Sequence, residues 1–229
     1  MKKSWRQAEE IKMINSILLG PPGAGKGSVA KLIADHYHLP HISTGDMFRE
    51  AMAKGTPVGK LAAKFINAGK LVPDDVTIAL VKERIQAPDC KQGFMFDGFP
   101  RTIPQAEALQ TLLVSIKRPI NTVMEFDCDR KELIRRITGR RVCKTCGTPY
   151  HVDTMKPKVE GICDRDGGPL ILRKDDNLEA LTVRLKAYEE QTFPLIGFYQ
   201  AKGLITPFDG AKQTKDLFQD VKKFLDRLK

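Results

Sequence analysis

At 229 residues, with 29% charged and 41% hydrophobic side chains, the chain has globular composition and length enough to bury one good core with small insertions. No apolar run approaches the ~20 residues that span a bilayer, and five cysteines, an odd number, argue against a disulfide framework and for thiols or metal in a reducing compartment. A net charge of +10 fits either nucleic acid or a small, highly anionic ligand gripped by arginines; no aromatic-interleaved basic run is present, which favours the small ligand.

Residues 1–12 read as a short polar extension. Lys2, Lys3 and Arg6 are followed by Glu9, Glu10 and Lys12 before any apolar segment, which makes a poor secretion signal, and Met13 could serve as the start. A cytoplasmic chain with no membrane partner is expected. Ile14 to Leu19 reads as a strand, and directly after it stands Gly20-Pro21-Pro22-Gly23-Ala24-Gly25-Lys26-Gly27. Glycines there bring backbone N–H groups up to an anionic oxygen without a Cβ in the way, and the following helix adds its positive end. Lys26 supplies a point charge for terminal phosphates, with Gly23, Ala24, Gly25, Gly27 and Ser28 around it. The generic loop has Ser or Thr straight after the lysine; here that place is Gly27 and the hydroxyl is Ser28. A plain Gly-Pro turn explains the glycines alone. It does not explain the strand before, the lysine within and the amphipathic helix after, on which Val29, Leu32, Ile33 and Tyr37 repeat.

Residues 43–72 are polar and helical, punctuated by Gly55, Thr56, Pro57 and Gly69. A second strand, Phe94 to Phe96, ends in Asp97 and turns through Gly98 and Pro100 onto Arg101. That acid is placed to hold hydrated Mg²⁺, and the arginine to grip a phosphate. Leu109, Leu112, Leu113 and Ile116 repeat at helical spacing, Thr122 to Phe126 reads as a strand, Ile205 to Phe208 as another, and Leu217, Val221, Phe224, Leu225 and Leu228 as a final helix. This alternation predicts an α/β fold, a parallel sheet flanked by helices, with ligands at the carboxyl ends of its strands.

Residues 139–176 break the alternation, rich in Gly, Pro, Cys and charge. Cys143-x2-Cys146 is followed after sixteen residues by Cys163-x2-Asp166, two knuckles able to close a tetrahedral zinc site. The usual fourth ligand is Cys; here Asp166 stands in that place, and Asp164 and His151 are rivals. Cys90 and Cys128 have no such partners and read as packing residues.

From Ile14 to the C-terminus the chain resembles the adenylate kinases, in the form with a long, zinc-binding lid. Besides the loop of Lys26 and the Asp97–Arg101 turn, the resemblance rests on His41-Ile42-Ser43-Thr44-Gly45-Asp46-Met47-Phe48-Arg49 and Gly69-Lys70-Leu71-Val72-Pro73-Asp74. Gly139-Arg140-Arg141 and Arg173-Lys174-Asp175-Asp176-Asn177 extend it. Gly27 is what this family usually has after the lysine. The resemblance implies a P-loop kinase core (13–42, 73–138 and 177–229), an AMP-binding insert (43–72) and a lid (139–176). It implies Mg²⁺-dependent transfer, ATP + AMP giving two ADP, by a monomer. Lys26 and the loop amides would hold the donor phosphates and Asp97 the Mg²⁺. Arg49 and Arg101 would hold the acceptor phosphate, and Arg140, Arg173 and Arg184 would converge on the transferring group, with Asp175 and Asp176 orienting lid arginines. Arg136 would stack on the donor base; Thr44, Gln105 and the backbone at Val72 and Gly98 would meet AMP. A GTP:AMP phosphotransferase is the near alternative. A nucleic-acid-binding ATPase with a zinc knuckle is the distant one, and only Tyr150 offers an aromatic beside the cysteines.

Overall fold

Six consecutive residues, Ile14–Leu19, form β1 and are buried along their whole length, as a strand covered by helices on both faces must be. The computed structural model describes residues 13–228; the extension expected over 1–12, with Trp5 and Ile11, lies outside the described residues. Strands β2 (His41–Ser43), β3 (Gly93–Asp97), β4 (Thr122–Asp127) and β8 (Ile205–Asp209) join β1 in one parallel sheet of order β2-β3-β1-β4-β8. The strands expected at 94–96, 122–126 and 205–208 appear with one or two further residues at their ends. The short β2 was not expected as a strand.

Period-two alternation divides the sheet's side chains between two apolar layers. Leu18, Met95, Met124 and Phe126 meet α1 (Lys26–Tyr37), α6 (Arg130–Thr138), α7 (Leu178–Ala187) and α9 (Thr214–Leu225) through Val29, Ile33, Leu133, Leu181, Leu217 and Val221. Ile17, Leu19, Phe94, Phe96 and Val123 meet α4 (Asp74–Arg84), α5 (Ile103–Ser115) and α8 (Pro194–Gln200) through Val81, Leu109, Leu113 and Leu195. Each such large side chain contributes ~1.5–3 kcal/mol by burial. Leu32 is only half-buried, and Ile116, expected on the apolar stripe of α5, lies beyond the helix and is exposed.

Between β2 and α4 stand α2 (Thr44–Ala53) and α3 (Pro57–Ile66), packed through Phe48, Ala62 and Val72. Ser43 accepts the N–H of Asp46 to cap α2, and Thr56 that of Gly59 to cap α3. Between α6 and α7 no helix forms. β5 (Arg140–Cys143), β6 (Pro149–His151) and β7 (Leu170–Ile171) make a small antiparallel sheet of order β6-β5-β7 around Cys143, Tyr150 and Cys163. Among the described residues no helix is long and apolar enough to cross a membrane.

Candidate active site

Strand register brings the two strongest sequence signals together. Leu18 of β1 pairs with Asp97 of β3, and Ser43 of β2 pairs with Asp97 from the other side, so the loop beginning at Gly20 and the start of α2 flank one carboxylate. Gly25 caps α1 with φ +83° and no side chain caps that helix, so its first amides remain available at the loop. Gly27 has a steric reason: a Cβ there would lie 3.3 Å from Asp97 Oδ2.

Lys26, Arg49, Arg101, Arg136, Arg140, Arg173 and Arg184 all line a single cleft with Asp97, Gly23, Gly25, Gly27 and Ser28. Ala24 is buried behind the loop. Lys26 Nζ donates to the carbonyls of Gly20 (2.7 Å) and Pro21 (2.8 Å). Burial pushes its pKa down to about 8 against the opposing pull of Asp97. Burial pushes the Asp97 carboxyl up, but the hydrogen bond from His41 (3.3 Å) and the charge of Lys26 outweigh it and hold it below its ordinary range. An ionised carboxylate beside a loop of backbone amides offers the oxygen chemistry that Mg²⁺ takes. Burial, reinforced by neighbouring guanidinium groups, lowers Arg101 and Arg173 to about 10 each. Such a convergence of cations is costly unless an anion of several charges answers it.

Acids hold these arginines in place. Arg140 donates Nε to Asp176 Oδ2 at 2.7 Å and also pairs through Nη2, with the Asp176 side chain 0% exposed. Arg184 Nη1 lies 3.2 Å from Asp175 Oδ2 and 3.5 Å from Asp176 Oδ1. Asp46 takes Arg49 at 2.6 Å and faces Arg173 at 3.9 Å. Arg101 donates Nε to Gly98 O at 2.7 Å, and Gly98 holds φ +71° where a Cβ would press on the Arg101 guanidinium.

A second groove opens beside the first, lined by Thr44, Arg49, Val72, Gly98, Arg101 and Gln105. Thr44 Oγ1 donates to Gly98 O (2.8 Å). Gln105 accepts the Arg101 N–H (2.8 Å) and donates Nε2 to Asp74 (2.7 Å), which also accepts from Thr102. Every predicted residue of the phosphate and monophosphate sets therefore borders one of these two grooves, apart from Ala24 behind the loop. Sequence reasoning missed the wall formed by Lys212, Gln213 and Thr214 after β8. It also missed Tyr188 and Thr192, which reach the cleft on a π-helical turn at Tyr188–Thr192. No local pattern marks them; only the sheet brings them there.

Within residues 139–176, the ligating atoms of Cys143, Cys146, Cys163 and Asp166 lie within 4.8 Å of one another. Cys146 Sγ is 3.7 Å from Cys163 Sγ, and Cys143 Sγ is 3.2 Å from Asp166 Oδ1. Ligands at ~2.3 Å on a tetrahedral zinc stand about 3.8 Å apart, so this donor set fits zinc. Backbone N–H groups of Thr145, Cys146 and Arg165 point at the sulfurs, as thiolates require. The rivals are engaged elsewhere. His151 Nδ1 accepts from Asp153 and Thr154, leaving Nε2–H for the carbonyl of Arg135 (3.2 Å), and Asp164 Oδ1 accepts the Lys158 N–H. Cys90 is fully buried and Cys128 partly so, both outside these groups.

Comparison with known proteins adds a family to this geometry. The family model described as adenylate kinase matches residues 18–204, more than half of the chain. The chain is similar to the adenylate kinase of Bacillus subtilis, 49% identical over 216 residues that cover 94% of this chain and 100% of that protein. It is similar to that of Oceanobacillus iheyensis, 50% over 214 residues (93% and 100%), and to that of Staphylococcus aureus, 49% over 215 residues (94% and 100%).

Proposed function

The chain belongs to the adenylate kinase family of nucleoside monophosphate kinases, and from that footing we propose that its cleft transfers the terminal phosphoryl group of ATP to AMP, giving two ADP. The observation that carries the reading is that Lys26 and six arginines line one cleft with the ionised Asp97. Phosphoryl transfer asks a protein chiefly for position and for charge where the equatorial oxygens become most negative, and these groups supply both. The α1 amides and Lys26 hold the donor phosphates; Lys26 exchanges its two loop carbonyls for phosphate oxygens. Arg49 and Arg101 hold the acceptor phosphate. Arg140, Arg173 and Arg184, aimed by Asp176, Asp46 and Asp175, meet the group in transit.

Mg²⁺, when bound with nucleotide, supplies Lewis-acid neutralisation of the phosphates, and Asp97 is the residue that would hold it through water. Residues 43–72 serve as the AMP insert, with Thr44, Val72, Gly98 and Gln105 against adenine. Residues 139–176 serve as a lid that excludes water from the transfer, stiffened by zinc on Cys143, Cys146, Cys163 and Asp166. The remaining described segments form the core, one chain supplies every group named, and the proposed working form is a monomer in the cytoplasm. The proposed donor is ATP, its base against Arg136.

A turnover panel tests this: ATP, GTP, CTP and UTP against the four monophosphates, with products resolved by chromatography. ADP should form only when AMP accompanies ATP. Equal ATP hydrolysis with and without AMP would end the kinase reading, and GTP outrunning ATP would move the donor assignment alone.

A further inference from the structure

On α6, whose Arg135 and Arg136 line the cleft, a single carboxylate grips two arginines. Glu132 Oε1 accepts from Arg136 Nε (2.6 Å) and Arg135 Nη2 (2.7 Å), while Oε2 accepts from Arg135 Nε (2.7 Å). Arg136 spends its remaining donors on the loop after β8: Nη1 to Gly210 O (2.6 Å), Nη2 to Ala211 O (2.7 Å) and Lys212 O (3.3 Å). An arginine held at four of its five N–H donors keeps little rotational freedom, and its flat faces remain for a ligand. Gly25, where a Cβ would be 3.6 Å from Arg136 Nη1, lines the same cleft as Arg136, Lys212, Gln213 and Thr214.

We infer that Glu132 is a positioning residue for the donor base: it fixes the plane of Arg136, and through it the loop 210–212, so that the base stacks on an already oriented guanidinium. The inference rests on the proposed assignment of Arg136 to the donor end. An exposed pair at i,i+4 would do little. Here the partners are only 17% and 20% exposed, and the pair is joined to three backbone carbonyls of a distant loop. Among the described residues Glu132 is the acceptor of Arg136 Nε, so removing it loosens the guanidinium against the three loop carbonyls, while Lys26, Arg101 and Arg140 keep their own partners.

The test is a double-mutant cycle on the full chain, with ATP and AMP varied separately and melting curves recorded. Glu132→Ala should raise the KM for ATP about fivefold, the effect of about one hydrogen bond, with kcat within about twofold and the KM for AMP unchanged. Glu132→Gln, which keeps an acceptor oxygen, should recover most of that. In an Arg136→Ala background Glu132→Ala should cost nothing further. An equal cost in that background, an equal rise for AMP, or no rise at all would overturn the inference. The donor-end assignment fails separately, if Arg136→Ala raises the KM for AMP and leaves that for ATP alone.

Discussion

The core wall of the cleft hangs from five parallel strands whose side chains fill two apolar layers, each closed by Phe, Leu, Ile and Val at almost no exposure. The lid wall hangs from strands of four, three and two residues around three cysteines, one tyrosine and Leu170. The outer faces of the lid leave Val159, Ile162 and Leu172 exposed. One wall is fixed by area removed from water; the other buries too little for that, and the proposed zinc would serve it as a staple. The difference teaches where precision is required at all times and where it is needed only when substrates are present. The loop proposed to present amides and an ammonium to phosphate is built on the rigid wall, and the segment proposed as a cover is built on the other.

The sharpest separation of chemistry from packing is at Lys26. Lys26→Ala should lower kcat by about a thousandfold, the scale of losing one transition-state charge contact. Urea unfolding should change by no more than about 1 kcal/mol, because the desolvation cost of the ammonium is relieved as its hydrogen bonds to the Gly20 and Pro21 carbonyls are lost. A variant that unfolds earlier by several kcal/mol would mean that the lysine braces the loop.

Next comes the contrast in stability. Phe96→Ala, in the sheet's interior, should cost about 3–5 kcal/mol by urea titration. Leu170→Ala in the lid should cost less than about 1 kcal/mol to global unfolding, since local opening there is cheaper than opening the sheet. Equal costs would erase the distinction between the walls.

The staple itself gives a smaller global effect. Elemental analysis should find about one zinc per chain, and Cys143→Ser should abolish it. The variant should speed proteolysis within 139–176 and lower the melting temperature by only a few degrees, because the core layers do not depend on the lid. Zinc content below a tenth, not restored by added zinc, would remove the site; Asp166→Ala with unchanged zinc affinity would remove only the fourth ligand.

The mildest effect is that of pH. Lys26 is lowered to about 8 in the fold, against 10.5 ordinarily. Between those values the unfolded chain holds a proton that the folded chain has released, so this group's contribution to stability rises with pH across about 8 to 10.5. The desolvation cost is present in full below about 8. Turnover moves the other way: kcat/KM for ATP should fall as pH passes about 8, since the neutral amine no longer attracts phosphate. Subtracting the melting profile of Lys26→Ala isolates the group; identical profiles would show that Lys26 is not desolvated.

Much of the core wall was legible because its signals are contiguous. The glycine loop, the strand into Asp97 and the turn onto Arg101 each sit in one short window, and a buried strand advertises itself as an apolar run. β2 was invisible because three residues are too few to show alternation, and the lid strands for the same reason. Cysteine spacing foretold the cluster with Asp166 in its fourth place, but counting alone did not retire Asp164 and His151. His151 is withdrawn by backbone donors from its own turn, and Asp164 by Lys158, which only a folded chain shows. The grip of Glu132 on Arg136 is local, yet its purpose depends on a loop more than seventy positions away.

Arg140 and Asp176 join the chain where it leaves the core and where it returns. A segment tied off at its neck is, in engineering terms, a cassette. Loop-closure entropy grows only slowly with length, so the scaffold hardly registers whether a long or a short piece is inserted above the knot. On this reading, changes of length above the knot should leave the core layers folded, provided Arg140 and Asp176 are kept together. The same guanidinium is proposed to meet the phosphoryl group, so a transplanted cover would carry part of the chemistry along with it.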